Sequence, residues 1–251
     1  MNSIAICLMV FACCFGGALF GMFLSTRLPE QHLSAESKNI VNLGMGLVGT
    51  MTALVLGLLV ASAKSYYDTQ STELTEMSAD IVLLDRVLAH YGPETQEVRA
   101  LLHGAVDRTL ELLWPQDSQR NPQMMPRAAG GEIILDKIQE LSPRNDSQHS
   151  LQAQALSMAI DLGKTRWLMF EQGSSSISTP LLAMLVFWLA IIFSSFGLFA
   201  PRNATVMVAL FLCALAVATA VFLILEMYAP FQGLIQISSA PVRSALAQLG
   251  K

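Results

Sequence analysis

With 251 residues, 53% of them hydrophobic and only 14% charged, and a mean hydropathy of +0.50, the chain is too apolar for an ordinary water-soluble protein and belongs in lipid. Its net charge of −4 offers no basic surface for nucleic acid, and no nucleic-acid partner is expected. Cys7, Cys13, Cys14 and Cys213 all fall in apolar stretches and His32, His90, His103 and His149 show no ligand spacing, so no disulfide framework, metal centre or cofactor is expected.

Four stretches are long, apolar and uncharged: residues 4–24, 40–63, 180–199 and 204–225. Each is predicted to be a transmembrane helix, because only a helix satisfies its own backbone hydrogen bonds in hydrocarbon. The first is read as a retained span and not a signal peptide: no basic side chain precedes it, and 21 apolar residues exceed an h-region of about 7 to 15. A short polar link, residues 25–39, leads to the second span.

The second span passes without a break signal into a water-soluble stretch. Tyr67, Gln70, Leu74, Met77, Ile81, Leu84, Leu88 and Tyr91 recur at steps of three and four, the stripe of a helix packed along another helix. One long helix from 40 to 91 is therefore predicted. Gly92 and Pro93 end it and start the next, which carries Val98, Leu101, Leu102, Ala105, Val106, Leu110 and Leu113 on its apolar side. Residues 115–131 read as a loop, 132–141 as a short helix and 146–171 as a longer one with Leu151, Ala155, Met158, Leu162, Trp167 and Phe170 inward. The block 64–179, with 10 Lys/Arg and 16 Asp/Glu, is thus a helical soluble domain.

The third and fourth spans are joined by residues 200–203 alone and must form an antiparallel hairpin. Beyond Glu226, residues 230–237 are too short to span and are expected along the membrane surface, followed by a short amphipathic helix at 241–251. The division is therefore 1–63, 64–179, 180–226 and 227–251: an all-α membrane protein with two spans, a helical insertion and two more spans. An even number of spans puts both termini and the insertion on one side. Lys64, Lys164, Arg166 and Arg243 against Arg27, Lys38 and Arg202 tilt that side toward the cytoplasm.

Gly44, Gly46 and Gly49 match a G-x-G-x-x-G string, but no strand precedes them and no βαβ unit is available, so they are not a nucleotide fingerprint. Gly49, Ala53, Gly57 and Ala61 recur at four-residue steps, with Asn42, Gly46 and Thr50 on the same side. Two readings stand: a groove packed against the first or fourth span, which residue types favour, or the lining of a water-filled path between several subunits. Glu73, Glu76, Asp80 and Asp85 read as a solvated face, and Glu226 as a carboxylate at the membrane boundary facing water or a partner. No nucleophile constellation, phosphate loop or paired catalytic carboxylate is present, and no enzymatic activity is expected.

Glu226, Pro230, Phe231 and Gly233 form an acidic-x-x-x-Pro-Phe-x-Gly run after the last span, followed by Ser238, Ser239 and Pro241. Trp114, Pro115, Arg166 and Pro180 stand earlier, and Leu28, Pro29, His32 and Glu36 precede the second span. In these features and in the order of its elements nearly the whole chain resembles the bestrophin-like domain family of bacterial membrane proteins. The resemblance implies the order of bestrophins, pentameric ion channels whose second span lines the pore. By it the chain is a homo-oligomeric channel for small ions in a bacterial inner membrane, with Asn42, Gly46, Gly49, Thr50, Ala53 and Gly57 along the path. The chain departs from bestrophins proper in having no Phe, Tyr or Trp between 40 and 63 and no calcium clasp, so gating and selectivity do not carry over. The other class of function is a membrane-anchored scaffold or sensor, in which the stripe from Tyr67 to Tyr91 is covered by a protein partner.

Overall fold

The computed structural model describes residues 3–29, 34–115, 131–173 and 179–250, and among them there are helices and no strand. In chain order these are α1 (Ser3–Leu24), α2 (Ala35–Tyr91), a 3-10 turn (Pro93–Thr95), α3 (Gln96–Leu113), α4 (Gly131–Gln139), α5 (Asp146–Gly173), α6 (Thr179–Phe199), α7 (Ala204–Met227) and α8 (Ala240–Leu246). α1, α2, α6 and α7 are each long and apolar enough to cross a membrane. Most of the expected loop at 115–131, and His32 before α2, lie outside the described residues.

The chain divides into two compact units, Met1–Tyr66 with Ser176–Tyr228, and Tyr67–Ser175 with Ala229–Lys251. In the first unit α1 packs on α6 and α7. Small residues decide how closely α1 and α6 approach. A Cβ built on Gly17 would stand 2.9 Å from the Ala190 carbonyl oxygen, one on Gly21 would run into the Ser194 carbonyl, and one on Gly197 into that of Ala18. The packing groove of this protein is therefore the G-x-x-x-G pair Gly17 and Gly21 on α1.

Around the crossing lie Val10, Cys14, Ala18, Leu185, Leu189, Phe193, Leu210, Ala214, Ala218 and Val221, all buried. Phe11 and Phe15 stack on each other and meet the edge of Phe211. Arg202, in the short link between α6 and α7, donates to the Met22 carbonyl at 2.7 Å and to Ser25 Oγ at 3.2 Å. A cation is favourable there, against the last carbonyls of α1. Asn203 caps the start of α7 by accepting the Val206 N–H at 2.9 Å.

In the second unit the distal part of α2 folds back on α3 about Gly92, whose φ of +138° suits glycine. Thr95 Oγ1 donates to the Leu88 carbonyl at 2.6 Å and fixes the turn. The α2 stripe is buried as its spacing predicts: Leu74, Met77, Ile81, Leu84 and Leu88 share one core with Val98, Leu102 and Val106 of α3, Ile134 and Ile138 of α4, and Ala155 and Met169 of α5. The stripe is covered from within the unit, contrary to what the scaffold reading required. Gln152 of α5 donates to the carbonyls of Ile138 and Leu141, both at 2.9 Å, satisfying the end of α4. Trp167, expected inward, is about half exposed.

The C-terminal stretch 230–237 packs on the helical unit through Pro230, Phe231 and Ile237, while Gln232, Gly233, Leu234 and Gln236 are exposed. Ile237 is buried, its N–H donates to the Pro230 carbonyl at 2.8 Å, and its carbonyl accepts the Trp114 Nε1–H at 2.9 Å. Phe231 meets Trp114 edge to face at 5.8 Å. Val242, Ala245 and Leu249 complete the seal, and amphipathic α8 follows from their spacing.

Candidate functional site

At 3.6 residues per turn the membrane part of α2 presents three faces. One, running through Val41, Met45, Val48, Thr52, Val55, Leu59 and Ala63, is turned into the first unit, with Thr52, Leu59 and Ala63 buried. About 120° round from it are Asn42, Gly46, Gly49, Thr50, Ala53 and Gly57, all exposed except half-buried Gly49. The third face is large and apolar: Leu43, Leu47, Leu54 and Leu58 are exposed, Leu43 to 77%.

The small-residue face is therefore not the groove against α1 or α7 that residue types favoured. Built Cβ atoms on Gly44, Gly46, Gly49 and Gly57 meet nothing within 4 Å. Thr50 Oγ1 donates to the Gly46 carbonyl at 2.9 Å, and Thr52 Oγ1 to the Val48 carbonyl at 2.7 Å. Each hydroxyl proton is thus used by the helix itself, which lets a threonine sit at membrane depth, while the Thr50 oxygen still offers acceptor capacity on the exposed face.

The run after the last span does not form one site. Glu226, expected at the boundary facing water or a partner, is 4% exposed and lies inside the first unit. Pro230, Phe231 and Gly233 belong to the second unit, where they shape the loop closed by Ile237. Gly233 has φ +85°, a left-handed conformation that explains a glycine at this place in the motif.

The acidic run on α2 also separates. Glu76 and Asp80 are exposed, but Asp85 is 1% exposed and takes both of its oxygens to Arg99: Nε to Oδ1 at 2.7 Å and a terminal nitrogen to Oδ2 at 2.9 Å. The Gly250 N–H adds a third bond at 3.3 Å. Burial pushes the Asp85 carboxyl up, but the bonds from Arg99 and Gly250 and the charges of Arg99 and Arg86 outweigh it, so its pKa lies below the ordinary 3.8. Position on a helix cannot reveal this pair from sequence, because Arg99 lies on the returning helix.

At the C-terminal end of the span, α2 and α7 meet through aromatic rings. Tyr66 and Tyr228 stack with centroids 5.3 Å apart, and the Tyr228 hydroxyl lies 3.1 Å from Ser62 Oγ. Ser62 and Tyr66 are four residues apart, hence on one side of α2; the spacing was legible, but its partner across the unit was not.

No curated protein and no solved structure matches the chain. A family model does, that of the Bestrophin-like domain, over residues 12–242. That span takes in α1 from its third turn, the whole of α2, the helical unit, both later spans and the start of α8. The chain is thus a membrane protein of the bestrophin-like domain family.

Proposed function

We propose that several copies of this chain assemble around an axis so that their α2 helices line a path for small ions. The observation that carries the reading is the pairing of two exposed faces on one span. Lipid suits Leu43, Leu47, Leu54 and Leu58, whereas a row of Asn42, Gly46, Thr50, Ala53 and Gly57 offers lipid little and leaves backbone carbonyls and a hydroxyl oxygen within reach of water. Other spans of the unit are more covered by their own chain than α2 is. Family membership supports the same arrangement, with five copies by analogy to bestrophins, a bacterial inner membrane as the location and the helical unit on the cytoplasmic side.

The test is ion flux into liposomes holding the purified full chain, with native mass spectrometry of the same preparation. An oligomer that carries flux, reduced when Gly46 or Ala53 becomes leucine and unaffected when Leu47 becomes alanine, is the expected result. A monomer with no flux under any ion gradient overturns the reading.

A further inference from the structure

The membrane part of α2 is held to its own chain by few groups. Built Cβ atoms on its four glycines meet no neighbour, and between Ile40 and Ala63 only Thr52, Leu59 and Ala63 are buried, with Val55, Leu56 and Val60 half-buried against the same core. Apolar contact along one face is non-directional, so it fixes the rotation about the helix axis less sharply than a directional contact does. Rotation matters, because neighbouring residues on a helix differ by about 100° and a roll of one step exchanges Ala53 for Leu54.

One contact at the end of the span opposes such a roll. The Tyr228 ring stacks on Tyr66 with planes 25° apart, and its hydroxyl lies 3.1 Å from Ser62 Oγ. A ring stack fixes the plane of approach and a hydrogen bond fixes a direction within it, so together they define an angle that apolar packing alone leaves loose. Tyr228 is itself seated: it caps α7, its N–H donating to the Ile224 carbonyl at 3.3 Å, one turn beyond buried Val221. Ser62 and Tyr66 point away from the face of Gly46, Ala53 and Gly57, so holding them on α7 turns that face outward.

We propose that Tyr228 is a positioning residue that sets the rotation of α2 and thereby decides which of its two exposed faces meets the water path. The inference rests on the path reading above. Its test uses the full chain in phosphatidylethanolamine and phosphatidylglycerol vesicles, with Cys7, Cys13, Cys14 and Cys213 replaced by alanine and a nitroxide on Ala53→Cys or Leu54→Cys. Collision with oxygen reports lipid, and collision with a water-soluble nickel chelate reports water. With Tyr228 intact, the label at 53 favours the chelate and the label at 54 favours oxygen. Tyr228→Leu abolishes this contrast, and Tyr228→Phe, which keeps the stack, preserves most of it. Where Tyr228→Leu does not reconstitute, Tyr66→Leu removes the same stack from the other ring and gives the same loss. Contrast present with Tyr228 and unchanged in the leucine variant overturns the positioning role and leaves the path reading intact. Contrast absent even with Tyr228 present overturns the path reading and this inference with it.

Discussion

Asp85 shares a helix with Glu76 and Asp80 but not their environment. Its carboxylate is buried against Arg99 and the Gly250 N–H, so removing the guanidinium leaves a charge without its main partner. Arg99→Met is expected to destabilise the helical unit by about 3 kcal/mol, the lower end for a broken buried pair because Arg99 itself is partly exposed. Thermal melting of the purified full chain, followed by helical signal, measures it. The pH sign follows from the lowered carboxyl: its stabilising contribution is complete above the ordinary 3.8 and is lost as pH falls through the lower native value. Asp85→Asn should therefore melt lower at neutral pH and show a weaker decline below 3.8 than the parent chain.

Glycines separate just as sharply by neighbourhood. Gly21→Val and Gly197→Val force a side chain into a backbone carbonyl across the α1–α6 crossing, and each is expected to abolish a monodisperse peak in detergent size-exclusion chromatography. Gly46→Ala and Gly57→Ala meet open space and should raise helix stability by up to about 1 kcal/mol without changing that peak. Both kinds of glycine look alike in sequence. Gly49, Ala53 and Gly57 have as good a packing pattern as Gly17 and Gly21, and only the neighbour that does or does not arrive tells them apart.

Among the elements, α2 was the most legible, because an uncharged span and a three-four stripe both repeat over many turns and no glycine–proline stop lies between them. The apolar sides of α3 and α4 follow from the same periodicity. The C-terminal segment was not legible. Phe231 and Ile237 suit an interface as well as a core, and what brings them onto the helical unit is Trp114, more than a hundred residues earlier, whose indole N–H donates to the Ile237 carbonyl. Trp114→Ala is expected to cost the helical unit about 3 kcal/mol through lost burial and that hydrogen bond. Gly233→Ala should cost about 1 kcal/mol through its positive φ alone, and denaturant titration of the full chain in detergent distinguishes the two.

For the whole molecule, the sequence by itself determined the solvent, the four spans, the helical insertion and the family, since each rests on local composition, periodicity or motif order that no distant contact can reverse. Only the tertiary structure decided which faces those helices use. It turned the small-residue row of α2 outward and gave the close helix crossing to α1 and α6. It drew the C-terminal stretch into the helical unit, and placed Glu226 inside the membrane unit and Asp85 against Arg99. The physical reason is the same in each case. A helix fixes the angular order of its side chains from sequence alone, but its rotation and its neighbours are set by partners far away in the chain, such as Tyr228 for Tyr66 and Ser194 for Gly21.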